Sequence, residues 1–242
     1  CLDALSGCSE EEWIRHIVLP RCLADYYYTR LQRRQSFSDD LVPVVLHVKS
    51  LEADLAGSPV TGAALVHTRK CTKLKKLTFS SVPSDDSVSE MSLLETIKCF
   101  HELTWLELSG VSALTDSVLV VIARQNKLLT VVKVKNCVNV GDDGLEALAE
   151  NCDSLKSVDF SSTQITSRSV TALAKRPCSR TLEEFLANQC CKLGAEVVAM
   201  LTKQFPALRI LTLRDCHEIL FAPEAVPMEM KRCGQLTWFI YC

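Results

Sequence analysis

Thirteen cysteines and five histidines are spread through the 242 residues of this chain, and thiols and imidazoles are the side chains best suited to nucleophilic attack or metal binding. Their spacing supports neither use. Paired C-x-x-C ligands are absent, and the adjacent Cys190-Cys191 is too close to serve as such a pair. His16, His47, His67, His101 and His217 lie in separate stretches, none with a nucleophile-elbow, metalloprotease or phosphate-loop signature. Cys191 and His217 are a thiol and an imidazole that neighbouring units would bring close, but no third group is placed to orient the ring. Gly141 and Gly144 belong to a turn rather than a phosphate cradle. The chain reads as a protein without catalytic residues, cofactor or metal, so the chemistry to look for is recognition.

What must position any recognition surface is legible in a repeated register. The pattern apolar, two variable, apolar, one variable, apolar begins at Val48, Leu74, Leu103, Leu129, Leu155, Leu182, Leu208 and Leu236, at intervals of 26, 29, 26, 26, 27, 26 and 28 residues. Only a stacked supersecondary unit keeps so even a step. Each copy is followed by a polar turn and an apolar-periodic stretch, which predicts strand, turn and helix: a leucine-rich-repeat solenoid of the α/β class. Its curved parallel sheet should line the concave side and its helices the convex side. Residues 1–47 are predicted as a helical N-terminal cap, and 48–242 as about eight repeats ending in an irregular cap, where Pro223 and Pro227 limit helix length.

Six cysteines fall on this register. Cys71, Cys152 and Cys233 precede the first frame position by three residues, and Cys137, Cys190 and Cys216 follow it by eight. A small apolar side chain with a weak donor suits a tight corner, so these thiols are expected to be buried and reduced. With an odd cysteine count and no signal-peptide pattern, this points to cytoplasm or nucleus. Helix starts are expected at Thr115-Asp116 and at Asp142 or Asp143, with a weaker cap at Thr166-Ser167. A net charge of -2 argues against nucleic acid as partner, and no apolar run reaches 18 residues, which argues against a membrane span.

Strand alternation names the side chains on the open sheet face. One column reads Lys76, Trp105, Val131, Ser157, Glu184, Ile210 and Trp238; the next Thr78, Glu107, Lys133, Asp159, Leu186, Thr212 and Ile240; Lys135, Asn188 and Arg214 belong to a third. The partner-binding candidates are Trp105, Glu107, Val131, Lys133, Lys135, Asp159, Glu184, Leu186, Ile210 and Arg214. Trp105 leads, because tryptophan on a strand face is costly to leave in water and is enriched among binding hot spots. Coverage of Trp105 by a loop from Ser84 to Glu90 is the competing expectation, and Trp238 is expected to pack in the C-terminal cap. Glu107, Lys133 and Asp159 alternate in sign, either as a cross-strand ladder on a solvated face or as part of recognition.

Specific segments carry a family resemblance: CTKLKKL from Cys71 to Leu77, SLKSVDFSSTQIT from Ser154 to Thr166, CSRTLEEF from Cys178 to Phe185, PALRILTLRDC from Pro206 to Cys216, and the terminal QLTWFIY. Over about Leu19 to Tyr241 the chain resembles the antagonist of mitotic exit network family, cysteine-containing leucine-rich-repeat proteins related to F-box substrate receptors. The resemblance implies a protein-binding subunit in cell-cycle or protein-turnover control, with a protein substrate on the concave face, a Skp1-like adaptor and a cullin. The alternative is a stand-alone inhibitory scaffold for a signalling protein, such as a small GTPase pathway component.

An adaptor site would lie near the N-terminus. Leu19-Pro20-Arg21-Cys22-Leu23 resembles the opening of an F-box, and Leu23, Tyr27 and Leu31 follow as one helical stripe. The adaptor-binding candidates are therefore Leu19, Pro20, Leu23, Tyr27 and Leu31. Where an F-box continues with further helices, this chain turns polar at Arg33-Arg34-Gln35-Ser36, a string that also resembles a basophilic-kinase site. The same stripe, with Trp13 and Ile17, would equally close the exposed end of the first repeat.

Overall fold

The computed structural model describes residues 21–80, 88–220 and 238–240. Leu19, Pro20, Trp13, Ile17, Cys233, both C-terminal prolines and most of the loop expected over Trp105 lie outside them. A helix α1 (Arg21–Arg34) and a short α2 (Val42–Val45) precede the repeats. The strands are β1 (Glu52–Asp54), β2 (Lys76–Ser80), β3 (Trp105–Ser109), β4 (Val131–Lys133), β5 (Ser157–Asp159), β6 (Glu184–Leu186), β7 (Ile210–Thr212) and β8 (Trp238–Ile240). Helices alternate with them: α3 (Gly62–His67), α4 (Glu90–Ile97), α5 (Asp116–Gln125), α6 (Asp142–Asn151), α7 (Ser167–Ala174), α8 (Glu196–Gln204) and α9 (His217–Leu220). The strands pair in sequence order, all parallel, as one eight-stranded sheet.

The leucine register builds the core directly. In β3, β4 and β5 the side chains aimed at the helices are Leu106 and Leu108, Val132 and Val134, and Val158 and Phe160, all fully buried. The first frame positions from Leu74 to Leu208 are buried beside them, and the helices answer with Val118, Leu119 and Ile122 or Leu145 and Leu148. Burying each such side chain contributes roughly 1.5–3 kcal/mol, and none of these units could do so alone. The cluster runs without a break from Leu31 to Ile219.

Six strands, β1 and β3 to β7, leave through a residue in the left-handed backbone region, seven places after the frame position. Gly57, Gly110, Asn136, Ser162, Gln189 and Asp215 occupy it with φ between 55° and 72°. The amide of Gly110 donates to the Lys135 carbonyl, and that of Gln189 to Arg214, so the turn also links consecutive repeats. Only glycine adopts this conformation without steric cost. Gln189 has an exposed side chain; Gln189→Gly should therefore raise stability by about 1 kcal/mol, read as a higher urea midpoint with unchanged m-value.

That column corrects the first repeat. Val48 is 62% exposed, and β1 aligns Ala53 with Leu77, which puts Ser50 where the frame expects Val48. The unit is two residues out of the anticipated step because Ser50, Ala53 and Leu55 are a weaker apolar signal than Val48, Leu51 and Ala53.

Helix capping also differs from expectation. Asp142 lies inside α6, whose N-cap is Gly141 with no side-chain bond of its own. The acid comes from the preceding repeat: Asp116 accepts from the Gly141 and Gly144 amides at 2.8 and 3.0 Å. Asp142 in turn accepts from the Thr166 amide and hydroxyl, both at 2.7 Å, and Asp39 does the same for Thr61. Parallel stacked helices place the first-turn carboxylates of Asp116 and Asp142 beside amides at the start of the next helix, so the cap here is also an inter-repeat bond. Burial opposes ionisation of Asp142, but the Thr166 amide, the Ser169 and Thr166 hydroxyls and Arg168 together hold its carboxyl below the usual range. Gly144 is required for this approach, since a Cβ there would sit 2.6 Å from the Asp116 carboxylate and 2.7 Å from Leu119.

Candidate protein-binding face

The thiols form two structural columns. At the strand exit, the Cys137, Cys190 and Cys216 thiols donate to the carbonyls of Leu108, Phe160 and Ala187 in the preceding repeat, at 3.0, 3.1 and 3.1 Å. At the strand entry, Cys152 is joined by Cys178, whose thiol reaches the Ala149 carbonyl at 3.8 Å. Sequence spacing missed Cys178 because the 3-10 turn Pro177–Arg180 shifts it by one residue. Burial pushes the Cys137 and Cys152 thiols up to about 12 and those of Cys71, Cys178 and Cys216 up to about 11. Such thiols are inert at neutral pH. Among the described cysteines Cys22 and Cys191 are exposed. Iodoacetamide should label these two in the native protein and leave the six column thiols unlabelled until denaturant is added, as read by peptide mass spectrometry; native labelling of Cys137 or Cys190 at a comparable rate would contradict the burial. Among the described residues no cluster of His, Cys, Asp and Glu fits a metal ion, and no helix is long and apolar enough to cross a membrane.

The open sheet face is the other chemically distinct surface. Trp105 stands half-buried on β3 with the Lys76 ammonium 5.5 Å and the Lys133 ammonium 5.3 Å from its ring centroid. Two cation–π contacts hold the indole, at about 0.5–1 kcal/mol each for exposed sites. Its N–H is buried without a partner among the described residues. Val131 and Ser157 follow Trp105 in register and form a closed floor, with Val131 only 8% exposed. Glu184 accepts from the Ser157 hydroxyl at 2.7 Å, and Leu186 and Ile210 stand half-buried beyond it. Lys135 and Arg214 are exposed on the rim.

Lys133 does not join the cross-strand charge ladder. It lies in register between Glu107 and Asp159, yet no ion pair to either is present; its ammonium turns to Trp105 instead, and Asp159 accepts from the Ser161 amide. Two groups escaped the sequence reading. Asp54, misplaced with the first frame, binds the Lys76 ammonium at 2.8 Å and so fixes one side of the indole. Lys156 and Glu183 border a depression that Trp105, Val131, Lys133, Ser157 and Glu184 complete. A second depression, lined by Glu183, Pro206, Ala207, Leu208 and Arg209, continues from it toward β7.

The N-terminal helix divides the adaptor stripe. Leu31 is 4% exposed and packs in the core, Tyr27 packs against the core half-buried, and Leu23 is 44% exposed beside Tyr26 at 57%. The Tyr28 hydroxyl accepts from the Asp54 amide at 2.7 Å and its ring stacks at 5.4 Å on the buried Phe37. Helix α1 therefore packs over the first repeat, and its exposed large apolar side chains are Leu23 and Tyr26. Arg33, Arg34 and Gln35 are exposed beyond the core-facing part of the helix, but the Ser36 hydroxyl is buried, so the acceptor of the kinase-like string is covered in the folded chain.

The family comparison agrees with this architecture. Residues 125–149 and 151–174 match the family described as Leucine Rich repeat. The chain is 25% identical over 193 residues to antagonist of mitotic exit network protein 1 of Candida glabrata, covering 62% of this chain and spanning only 38% of that relative's length. A chain in the yeast Rad7 and Elc1 complex superimposes with a TM-score of 0.44 at 12% identity, covering 81% of this chain and 83% of its own. The tropomodulin C-terminal domain of Caenorhabditis elegans does so with a TM-score of 0.41 at 16% identity, covering 60% and 95%. The chain has the leucine-rich-repeat fold and is similar to an antagonist of mitotic exit network protein.

Proposed function

We propose that the open sheet face receives a protein partner, and that the chain serves as substrate receptor of a Skp1-cullin-type ubiquitin ligase in cell-cycle or protein-turnover control. The observation that carries the receiving half is Trp105: a tryptophan held open on the sheet face between two lysines, beside a depression that continues across four further strands. Similarity to an antagonist of mitotic exit network protein supports the cell-cycle setting. The second reading, a stand-alone scaffold that inhibits by occupying its partner, draws on the burial of Leu31, which takes one of the described stripe residues away from an adaptor.

Two experiments separate these parts. Trp105→Ala with Leu186→Ala should weaken partner binding by on the order of 2 kcal/mol with little change in Tm; the reverse pattern would make these side chains structural. For the adaptor, Leu23→Arg with Tyr26→Arg keeps the buried cap intact, which removal of residues 1–40 would not, because Phe37 is fully buried. Affinity purification followed by mass spectrometry should recover a Skp1-like adaptor and a cullin with the native chain and lose both with this variant. Recovery of the same partners by both chains, with no cullin, would leave the scaffold reading.

A further inference from the structure

We infer that the segment seated on this face is an extended acidic stretch of a partner protein, with an apolar side chain over Trp105 and carboxylates at Lys133, Lys135 and Lys156. The inference rests on the reading of the sheet face as the partner-binding surface and adds the chemistry of what binds there.

Lys133, whose ammonium lies over Trp105, and Lys135 follow one another along β4 and its exit, both on the open face by strand alternation. Among the described residues neither has a carboxylate within 4.0 Å, whereas Lys76 is neutralised by Asp54. Lys156 has only Glu183 at 3.9 Å, and Glu183 is shared at the same distance with Arg209. Two cations without counter-charge beside an apolar platform, and two more sharing one weakly held acid, are complementary to carboxylates. The basic character extends along the edge where the strands begin, through the exposed Lys73, Lys75 and Lys127, and the exposed Leu128 lies among them at 68%.

The path of the occupant follows from the two depressions. They meet at Glu183 and together run from Trp105 on β3 to Arg209 beside β7. That trough crosses the strands, so an extended segment would lie across the sheet and meet cations at Lys133, Lys156 and Arg209 in turn, with Lys135 to one side of it at the strand exit. A nucleic acid fits less well, because Glu107, Asp159, Glu183 and Glu184 are interspersed on the same surface and would repel a phosphate backbone. Carboxylates on a peptide are spaced by residue and can avoid them.

The test uses the full chain and three labelled twelve-residue probes, alternating Glu with Leu, Lys with Leu, and Ser with Leu, together with a labelled oligouridylate of similar length. Fluorescence polarisation is measured for the native chain, for Lys133→Glu with Lys135→Glu, and for Trp105→Ala with Leu186→Ala. The Glu–Leu probe should bind most tightly, lose at least tenfold in affinity with the charge-reversed variant and with the apolar variant, and weaken as salt rises. Equal or tighter binding of the Lys–Leu or Ser–Leu probe, still lost in the apolar variant, would overturn the acidic chemistry while leaving the face as a binding surface. Tighter binding of oligouridylate would replace the protein segment with a polyanion. Failure of every probe, or binding indifferent to both variants, would overturn the inference, and indifference of a natural partner to the apolar variant would overturn the binding face with it.

Discussion

Raising the pH from 8 to 10.5 should steeply destabilise this protein, in contrast to the broad alkaline tolerance expected of a cysteine-poor solenoid. In the unfolded chain the thiols titrate near 9, whereas in the fold Cys71, Cys178 and Cys216 hold their protons to about 11 and Cys137 and Cys152 to about 12. Between those values the unfolded state binds fewer protons, so stability falls as pH rises. It is fully present below pH 9 and is lost toward pH 11 to 12. Each thiol contributes a slope of about 1.4 kcal/mol per pH unit, and five together give an upper bound of roughly 7 kcal/mol per unit. A typical domain has only about 5–15 kcal/mol to lose. Burial pushes Cys190 and the Tyr28 phenol in the same direction. Urea midpoints measured with a non-thiol reductant at pH 7.5, 9 and 10 should drop steeply across the last step. Cys22→Ser with Cys191→Ser should leave the curve unchanged, since both are exposed. A flat midpoint between pH 8 and 10 would mean that the column thiols are solvated.

Asn126→Ala is expected to cost on the order of 3 kcal/mol, the largest loss from any single polar side chain in the repeats. Asn126 occupies the strand-entry column that holds cysteine at 71, 152 and 178, and it is 1% exposed. Its carbonyl accepts from the Leu103 amide at 2.9 Å, and its amide group donates to the carbonyls of Phe100 and Ile122, each at 3.1 Å. Alanine would leave the Leu103 amide and the Phe100 carbonyl buried and unpaired, with a small cavity beside them. Asn126→Cys restores the column residue and a weak donor but no acceptor for Leu103, so its loss should fall between native and alanine. Chemical denaturation of the two variants checks the order; equal losses would show that the amide's acceptor is dispensable.

Much of the architecture was legible because it rests on side-chain volume at a fixed step. Leu103, Leu129, Leu155, Leu182 and Leu208 stand where the register put them, and the open-face columns from Lys76 to Ile210 pair in the anticipated order. The register failed where apolar content misled it: Val48 looked like a frame residue and is exposed, while Ser50 holds the place. Cys178 escaped for a different reason, since one inserted residue moves a side chain off a numerical column while the fold absorbs it in a 3-10 turn. At the face, Trp105 was recognisable from its residue type and strand phase. Of its two lysine neighbours, Lys76 was named only as a column member and Lys133 as a candidate within the charge ladder; neither was placed over the ring, because cation–π contact depends on where a flexible side chain turns.

The sequence by itself determined the repeat, the strand phase and the identity of the open-face columns, since burial of leucine at a constant interval admits one stacking. The tertiary structure decided which neighbour each polar group answers to. Asp116 and Asp142 cap the following helix rather than their own, Lys133 leaves Glu107 and Asp159 for Trp105, and Leu31 joins the core while Leu23 stays in solvent. Hydrophobic burial is non-directional and follows from composition along the chain. Hydrogen bonds and charge contacts are directional and short-ranged, and their partners lie some 25 residues away, within reach only once the repeats are stacked.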